Sequence, residues 1–312
     1  MNLKNKKLDT PQRELAIRSI SFFSKNICNS FFLPKLSRFI NKFLYKFGVG
    51  SFINRYYSSF SLYSSILDKS FYKSYSKKER FLNFGSGAFF HNRWTNYDYP
   101  GQSKYYKNLQ GKKGIDFHPI DLTKKNLLIP ENDNSISLIY CSHTLEHLDE
   151  GSAIQFLREC FRILKTNGVL RLNLPNTKNH FYLLKFILLN EHLIDNLKEN
   201  YARDATRKIL SDSTELEINE ILNLLEECKY ESQLFYDITN KKYPKYVEFD
   251  ENNPERHINY FDFENLKIIG NEIGYKYIIP SYQGSSVAMP FKNIHVFDNT
   301  ESQCSFYAEL IK

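Results

Sequence analysis

From residue 80 to residue 175 the apolar positions fall into short uninterrupted runs separated by polar turns, with one longer stretch spaced by three and four. That is the pattern of buried strands alternating with a helix. Residues 80–84 make a mostly apolar run that ends in Gly85-Ser86-Gly87, predicting a buried strand that enters a tight turn where backbone can approach a ligand closely. Residues 94–98 predict a second strand ending on Asp98, and residues 115–122 a third with Asp121 at its end. A carboxylate at a strand end can accept hydrogen bonds from both hydroxyls of a ribose. Residues 136–140 predict a fourth strand, followed by the polar turn Cys141-Ser142-His143-Thr144-Leu145-Glu146-His147-Leu148. Ala153, Phe156, Leu157, Cys160, Ile163 and Leu164 then mark one face of a helix that Asn167-Gly168 stops, and residues 169–174 run as a strand into Pro175. Strands and helix in this order predict an α/β fold, a Rossmann-like doubly wound sheet with its functional groups at the carboxyl ends of the strands.

Residues 1–79 predict a helical extension rich in aromatic residues, and residues 80–312 the main domain. Within the latter, residues 176–255 form a mostly helical insert suited to the substrate side. Residues 181–198 read as an apolar helix, Thr214 to Glu217 as a capping box opening a second helix, and residues 240–254 as a loop. Residues 262–273 predict a last helix, stopped by Gly274.

Charge changes the picture at the N-terminus only. Residues 1–80 carry 16 Lys and Arg against 4 Asp and Glu, a net +12, whereas the remainder carries 26 against 31. Leu36, Phe39, Ile40, Phe43, Leu44 and Phe47 keep helical spacing, with Lys35, Arg38, Lys42 and Lys46 along one flank. Such a basic amphipathic helix over residues 35–47 either packs on the main domain or contacts an anionic membrane surface. No apolar run is long enough to span a bilayer and the N-terminus lacks a secretory pattern, so the expectation is a cytoplasmic protein, with peripheral contact at the inner membrane surface as an option. The five cysteines are scattered without a Cys-x-x-Cys pair, which fits a reducing compartment and argues against a cysteine zinc site.

Dinucleotide binding uses the same sheet but needs a third glycine where Phe90 stands. The ordered motifs LNFGSG (82–87), WTNYD (94–98) and CSHTLEHL (141–148) instead resemble class I S-adenosylmethionine-dependent methyltransferases, in particular their small-molecule, type-11-like branch. The resemblance covers residues 80–175 and resumes over residues 256–278 and 305–312, which look like that family's last helix and closing strand pair. It implies S-adenosyl-L-methionine as cofactor. Gly85, Ser86 and Gly87 would hold its methionine part and Asp98 its ribose; Asp121 and Leu122 would border the adenine, and Cys141, Ser142 and His143 would line the crevice beside the sulfonium. Two departures stand out. Asn83 replaces an acidic residue often found there and Phe89 the last glycine of the turn, and only ten residues separate Gly87 from Asp98, too few for a long first helix.

Methyl transfer to a hydroxyl needs one base besides positioning. His143 and His147 stand on the turn after the fourth strand, and His257, with Arg256 and Tyr260, opens the last core helix. Each is a candidate, as is Glu146, although Glu146 and His147 also read as a structural turn. No metal is expected, because His143-x-x-x-His147 shows no obvious third ligand. The resembled branch is associated with bacterial surface-sugar assembly, implying a small-molecule or glycan-type acceptor and no nucleic acid. Two alternatives stay open: an RNA methyltransferase using the basic segment, and a cofactor-binding scaffold without turnover.

Overall fold

The computed structural model describes residues 49–54, 59–64, 69–87, 89, 91, 93–101, 106, 107, 110, 117–176, 249–252, 254, 256–294, 296–298 and 305–312. The chain divides into two units, Met1–Lys77 with Val287–Thr300 and Lys78–Ser286 with Glu301–Lys312. In the first, β1 (Val49–Asn54) and β2 (Ser59–Ser64) pair antiparallel, with Val49 opposite Ser64. A helical reading therefore does not hold for residues 49–54 and 59–64. Phe60 and Leu62 alternate with Ser59 and Ser61, a period of two that suits a strand. The amphipathic segment 35–47 and the helices expected at 181–198 and from 214 onward lie outside the described residues.

The second unit holds a seven-stranded sheet ordered β5-β4-β3-β6-β7-β9-β8. The strands are β3 (Phe81–Phe84), β4 (Thr95–Asp98), β5 (Phe117–Pro119), β6 (Ile136–Ser142), β7 (Leu164–Pro175), β8 (Tyr277–Ser281) and β9 (Ser305–Ile311). Neighbours from β5 to β7 run parallel, and β9 runs antiparallel between β7 and β8. All of β3 and all of β6 before Ser142 are buried, as expected for parallel strands covered on both faces. Between β3 and β4 the described residues form a turn and no helix.

Helix α1 (Glu150–Ile163) starts where the Asp149 side chain accepts a hydrogen bond from Ser152 N at 3.0 Å. It buries Ala153, Phe156, Leu157, Cys160 and Ile163 in the core shared with β3, β6 and β7. Its end differs from the sequence expectation. The helix stops at Ile163, and Asn167 alone takes the left-handed conformation, at φ 63°, in the turn inside β7. Gly168 is required for space instead, since a Cβ there would lie 2.8 Å from Lys165 O and 3.2 Å from Ile136 O. Helix α2 (Phe263–Ile273) is capped by Asp262, which accepts from Asn265 N at 2.8 Å, and ends on Gly274 at φ 107°. No helix among the described residues is long and apolar enough to cross a membrane.

The third expected strand is shorter than its apolar pattern suggested. β5 keeps Phe117–Pro119 only, and Asp121 falls beyond it. Proline carries no backbone donor, so it closes an edge strand readily. Asp121 Oδ1 accepts instead from Thr123 N at 3.0 Å and Thr123 Oγ1 at 2.6 Å, fixing a local turn.

Candidate active site

Connections in the sheet reverse between β3 and β6, because β4 and β5 lie on one side of β3 while β6 and β7 lie on the other. Open α/β sheets bind ligands in the crevice at the carboxyl ends of such strands. Gly85 and Gly87, just past β3, take left-handed φ values of 62° and 52°. A Cβ on Gly85 would sit 1.8 Å from Thr144 Oγ1, so the turn after β3 lies directly against the turn after β6.

Asn83 is buried at the end of β3, and its amide Nδ2 donates to Asn96 Oδ1 at 3.1 Å and to Phe89 O at 3.3 Å. A neutral amide thereby ties β3 to β4 and to the exit of the glycine turn. Asp98, buried at the end of β4, accepts from Gly87 N at 2.7 Å and from Tyr99 N at 2.8 Å. Ser86 is also buried, and its hydroxyl has no hydrogen-bond partner among the described residues. An orphaned buried hydroxyl in a glycine turn beside a buried carboxylate fits a cofactor that brings its own hydrogen-bonding groups.

The other sequence candidates are placed as follows. Ser142 is half-buried and accepts from Asn173 Nδ2 at 3.0 Å. Cys141 and Leu122 belong to the hydrophobic core, and burial pushes the Cys141 thiol up, which keeps it neutral.

The three histidines converge on Glu146, a residue whose role as the centre of the cluster sequence reasoning missed. Glu146 is 2% exposed, on a 3-10 turn of Leu145–His147. Burial pushes its carboxyl up, but His143, His147 and His257 outweigh burial and hold it down at about 2. His143 has φ 49°, its N–H donates to Asn173 O at 2.8 Å, and its Nδ1 lies 3.2 Å from Glu146 Oε1. On the far side of the same ring, Nε2 meets Ser305 Oγ at 2.8 Å. A left-handed histidine held at three points is the kind of outlier that accompanies function. His147 Nδ1 lies 3.0 Å from the Arg256 carbonyl, and the His147 and His257 rings meet edge to face at 4.8 Å. Ile258 N and Asn259 N both donate to Glu146 O, at 2.8 and 3.1 Å, which locks the His257 segment to the 3-10 turn. A small pocket opens here, lined by Glu146, Leu174, Pro175, His257, Asn259, Tyr260 and Phe261.

Ser305 was not anticipated, although the closing strand pair was. An antiparallel last strand must begin at the carboxyl end of its parallel neighbour, and Ser305 indeed pairs with Pro175. Register along SFYAELIK would have found it.

Residues 86–172 match a family model described as a methyltransferase domain. Among solved structures, an S-adenosylmethionine-dependent methyltransferase from Archaeoglobus fulgidus aligns at TM-score 0.37 and 14% identity over 80% of this chain and 94% of that one. A second, from Aquifex aeolicus, aligns at TM-score 0.34 and 12% identity over 78% and 88%. No curated protein matches the chain in sequence. The assignment rests on the family match and the strand order, and not on these distant likenesses. A seven-stranded sheet with its last strand inserted antiparallel, and a glycine turn followed by an acidic strand end, give the Rossmann-like fold in which that matched segment sits. Residues 86–172 are thus similar to a methyltransferase domain.

Proposed function

We propose that the chain methylates a hydroxyl of a small-molecule or glycan-type acceptor, with His143 as the proton acceptor. The observation that carries this reading is the Ser305, His143, Glu146 array at the carboxyl ends of β6 and β7. An ionised Glu146 favours a proton on His143 Nδ1, which leaves the Nε2 lone pair facing the Ser305 hydroxyl. A hydroxyl in the position of Ser305 Oγ, or bonded to it, can pass its proton to that nitrogen. Gly85, Ser86, Gly87 and Asp98 would hold S-adenosylmethionine, which supplies an electrophilic methyl group for in-line displacement.

Titration calorimetry of the full-length protein with S-adenosylmethionine should show saturable binding that Asp98→Ala abolishes. In transfer assays over a panel of sugar and small-molecule hydroxyls, His143→Gln should keep cofactor affinity and lose about 10²–10⁴ in rate. A protein that binds no cofactor, or a His143→Gln variant that turns over at the normal rate, refutes the reading.

A membrane surface belongs to the same proposal, through the basic segment 35–47. Cosedimentation with anionic vesicles should fall when Lys35, Arg38, Lys42 and Lys46 are all changed to Glu. Unchanged cosedimentation removes the membrane from the account.

A further inference from the structure

We propose that Glu146, His147 and His257 form a binding site for a divalent transition-metal ion of the zinc type, at the acceptor end of the crevice. One donor atom from each of the three lies within 4.8 Å of the other two. Two imidazoles and a carboxylate suit Zn2+ and its first-row neighbours, and three protein ligands leave positions open, as in catalytic sites. Ligand bonds of about 2.0–2.2 Å put tetrahedral donors about 3.3–3.5 Å apart. The side chains would therefore close by roughly an ångström on binding.

Three further observations point to a cation. The first is Glu146 itself: it is 2% exposed, yet neither carboxylate oxygen receives a hydrogen bond among the described residues. His143 Nδ1 lies 3.2 Å from Oε1, a single ring nitrogen beside a carboxylate that can accept several hydrogen bonds. A buried anion left short of donors is costly, and a bound cation removes that cost.

The second is the tautomer of His147. A carbonyl can only accept, so the contact with Arg256 O puts the proton on Nδ1 and leaves the lone pair of the neutral ring on Nε2. That nitrogen lies 4.0 Å from Glu146 Oε1. A lone pair facing a carboxylate calls for a positive charge between them, which a proton or a metal ion can supply, and a metal-bound histidine characteristically donates its other N–H to a carbonyl in this way.

The third is the backbone clamp. The Ile258 and Asn259 amides hold the His257 segment on the carbonyl of Glu146, so all three ligands sit on one braced unit although His257 comes from far along the chain. That separation is why the sequence pattern, which offered only the His143 and His147 pair, showed no third ligand.

Two neutral imidazoles and one carboxylate leave a divalent ion with one net positive charge. Such a site would favour an anionic oxygen as fourth ligand and would lower the pKa of a bound hydroxyl, with His143 Nε2 placed to take its proton. This role rests on the hydroxyl-acceptor reading above; the binding of the ion does not.

Tag-free, full-length, chelator-treated protein should bind Zn2+ with one-to-one stoichiometry in calorimetry, and Co2+ should give a visible absorption band of low-coordinate type. His257→Ala and His147→Ala should each weaken Zn2+ binding at least about a hundredfold while keeping S-adenosylmethionine binding and the circular dichroism of the parent. Absence of stoichiometric Zn2+ and Co2+ binding overturns the site, as does binding that both variants leave unchanged. Stoichiometric ion binding with those losses but no hydroxyl methylation upholds the site and refutes only its role.

Discussion

Arg171→Ala should destabilise the catalytic unit by about 3–5 kcal/mol, read as a fall in the denaturant midpoint with unchanged slope. Arg171 lies in the middle of β7 with 0% exposure, opposite Glu309 of β9, which is 1% exposed. Its Nη1 reaches Glu309 Oε1 at 3.3 Å, Ser281 Oγ at 2.8 Å and Ser285 O at 2.9 Å, while Nη2 donates to Tyr282 O at 2.8 Å. The guanidinium also covers the Tyr307 ring, 5.0 Å from its centroid. One side chain therefore neutralises a buried carboxylate and satisfies two carbonyls of the turn after β8. Alanine would leave Glu309 charged, with the Ser286 hydroxyl as a remaining donor. The pair itself need not be strongly stabilising, because both charges must be stripped of water to form it. Arg171→Met combined with Glu309→Leu removes both charges at similar volume and should recover most of the loss. A single-variant cost below about 1 kcal/mol would show that the turn after β8 does not depend on this arginine.

The same arginine marks where sequence reading stops. Residues 169–174 were legible as a strand because four of the six positions are apolar, yet the charged one reads as a solvent-facing position until β9 is laid beside it. Elements set by local chemistry were visible: β3 and its glycine turn, the apolar stripe of α1, and α2 between Asp262 and Gly274. Elements set by neighbours were not. The edge strand β5 is cut short at Pro119, and α1 ends at Ile163 because the chain turns directly into β7. In the site, the glycine turn and Asp98 stood out by spacing alone. The histidines were each visible as candidates, but Glu146 as their common centre depends on two backbone hydrogen bonds from Ile258 and Asn259 that no local pattern encodes.

Gly85→Ala carries the largest expected effect on ligand binding, a loss of S-adenosylmethionine affinity of more than about a hundredfold. Two separate causes act on it. The backbone at φ 62° is left-handed, which costs a residue with a Cβ about 1–2 kcal/mol. The added methyl would also lie 1.8 Å from Thr144 Oγ1 and 2.8 Å from both Thr144 Cβ and Cγ2, so Thr144 itself must move. Overpacking of that kind adds about 1–3 kcal/mol. Thr144 follows His143 directly and precedes the 3-10 turn bearing Glu146, so displacing it shifts that turn together with the glycine turn. The double variant Gly85→Ala, Thr144→Gly separates the causes: it removes the clash and keeps the backbone strain. It should regain the larger part of the affinity relative to Gly85→Ala, with Thr144→Gly alone as reference. If Gly85→Ala binds cofactor as well as the parent and melts at the same temperature, the turns after β3 and β6 do not touch as described, and the coupling between the two turns fails with that contact.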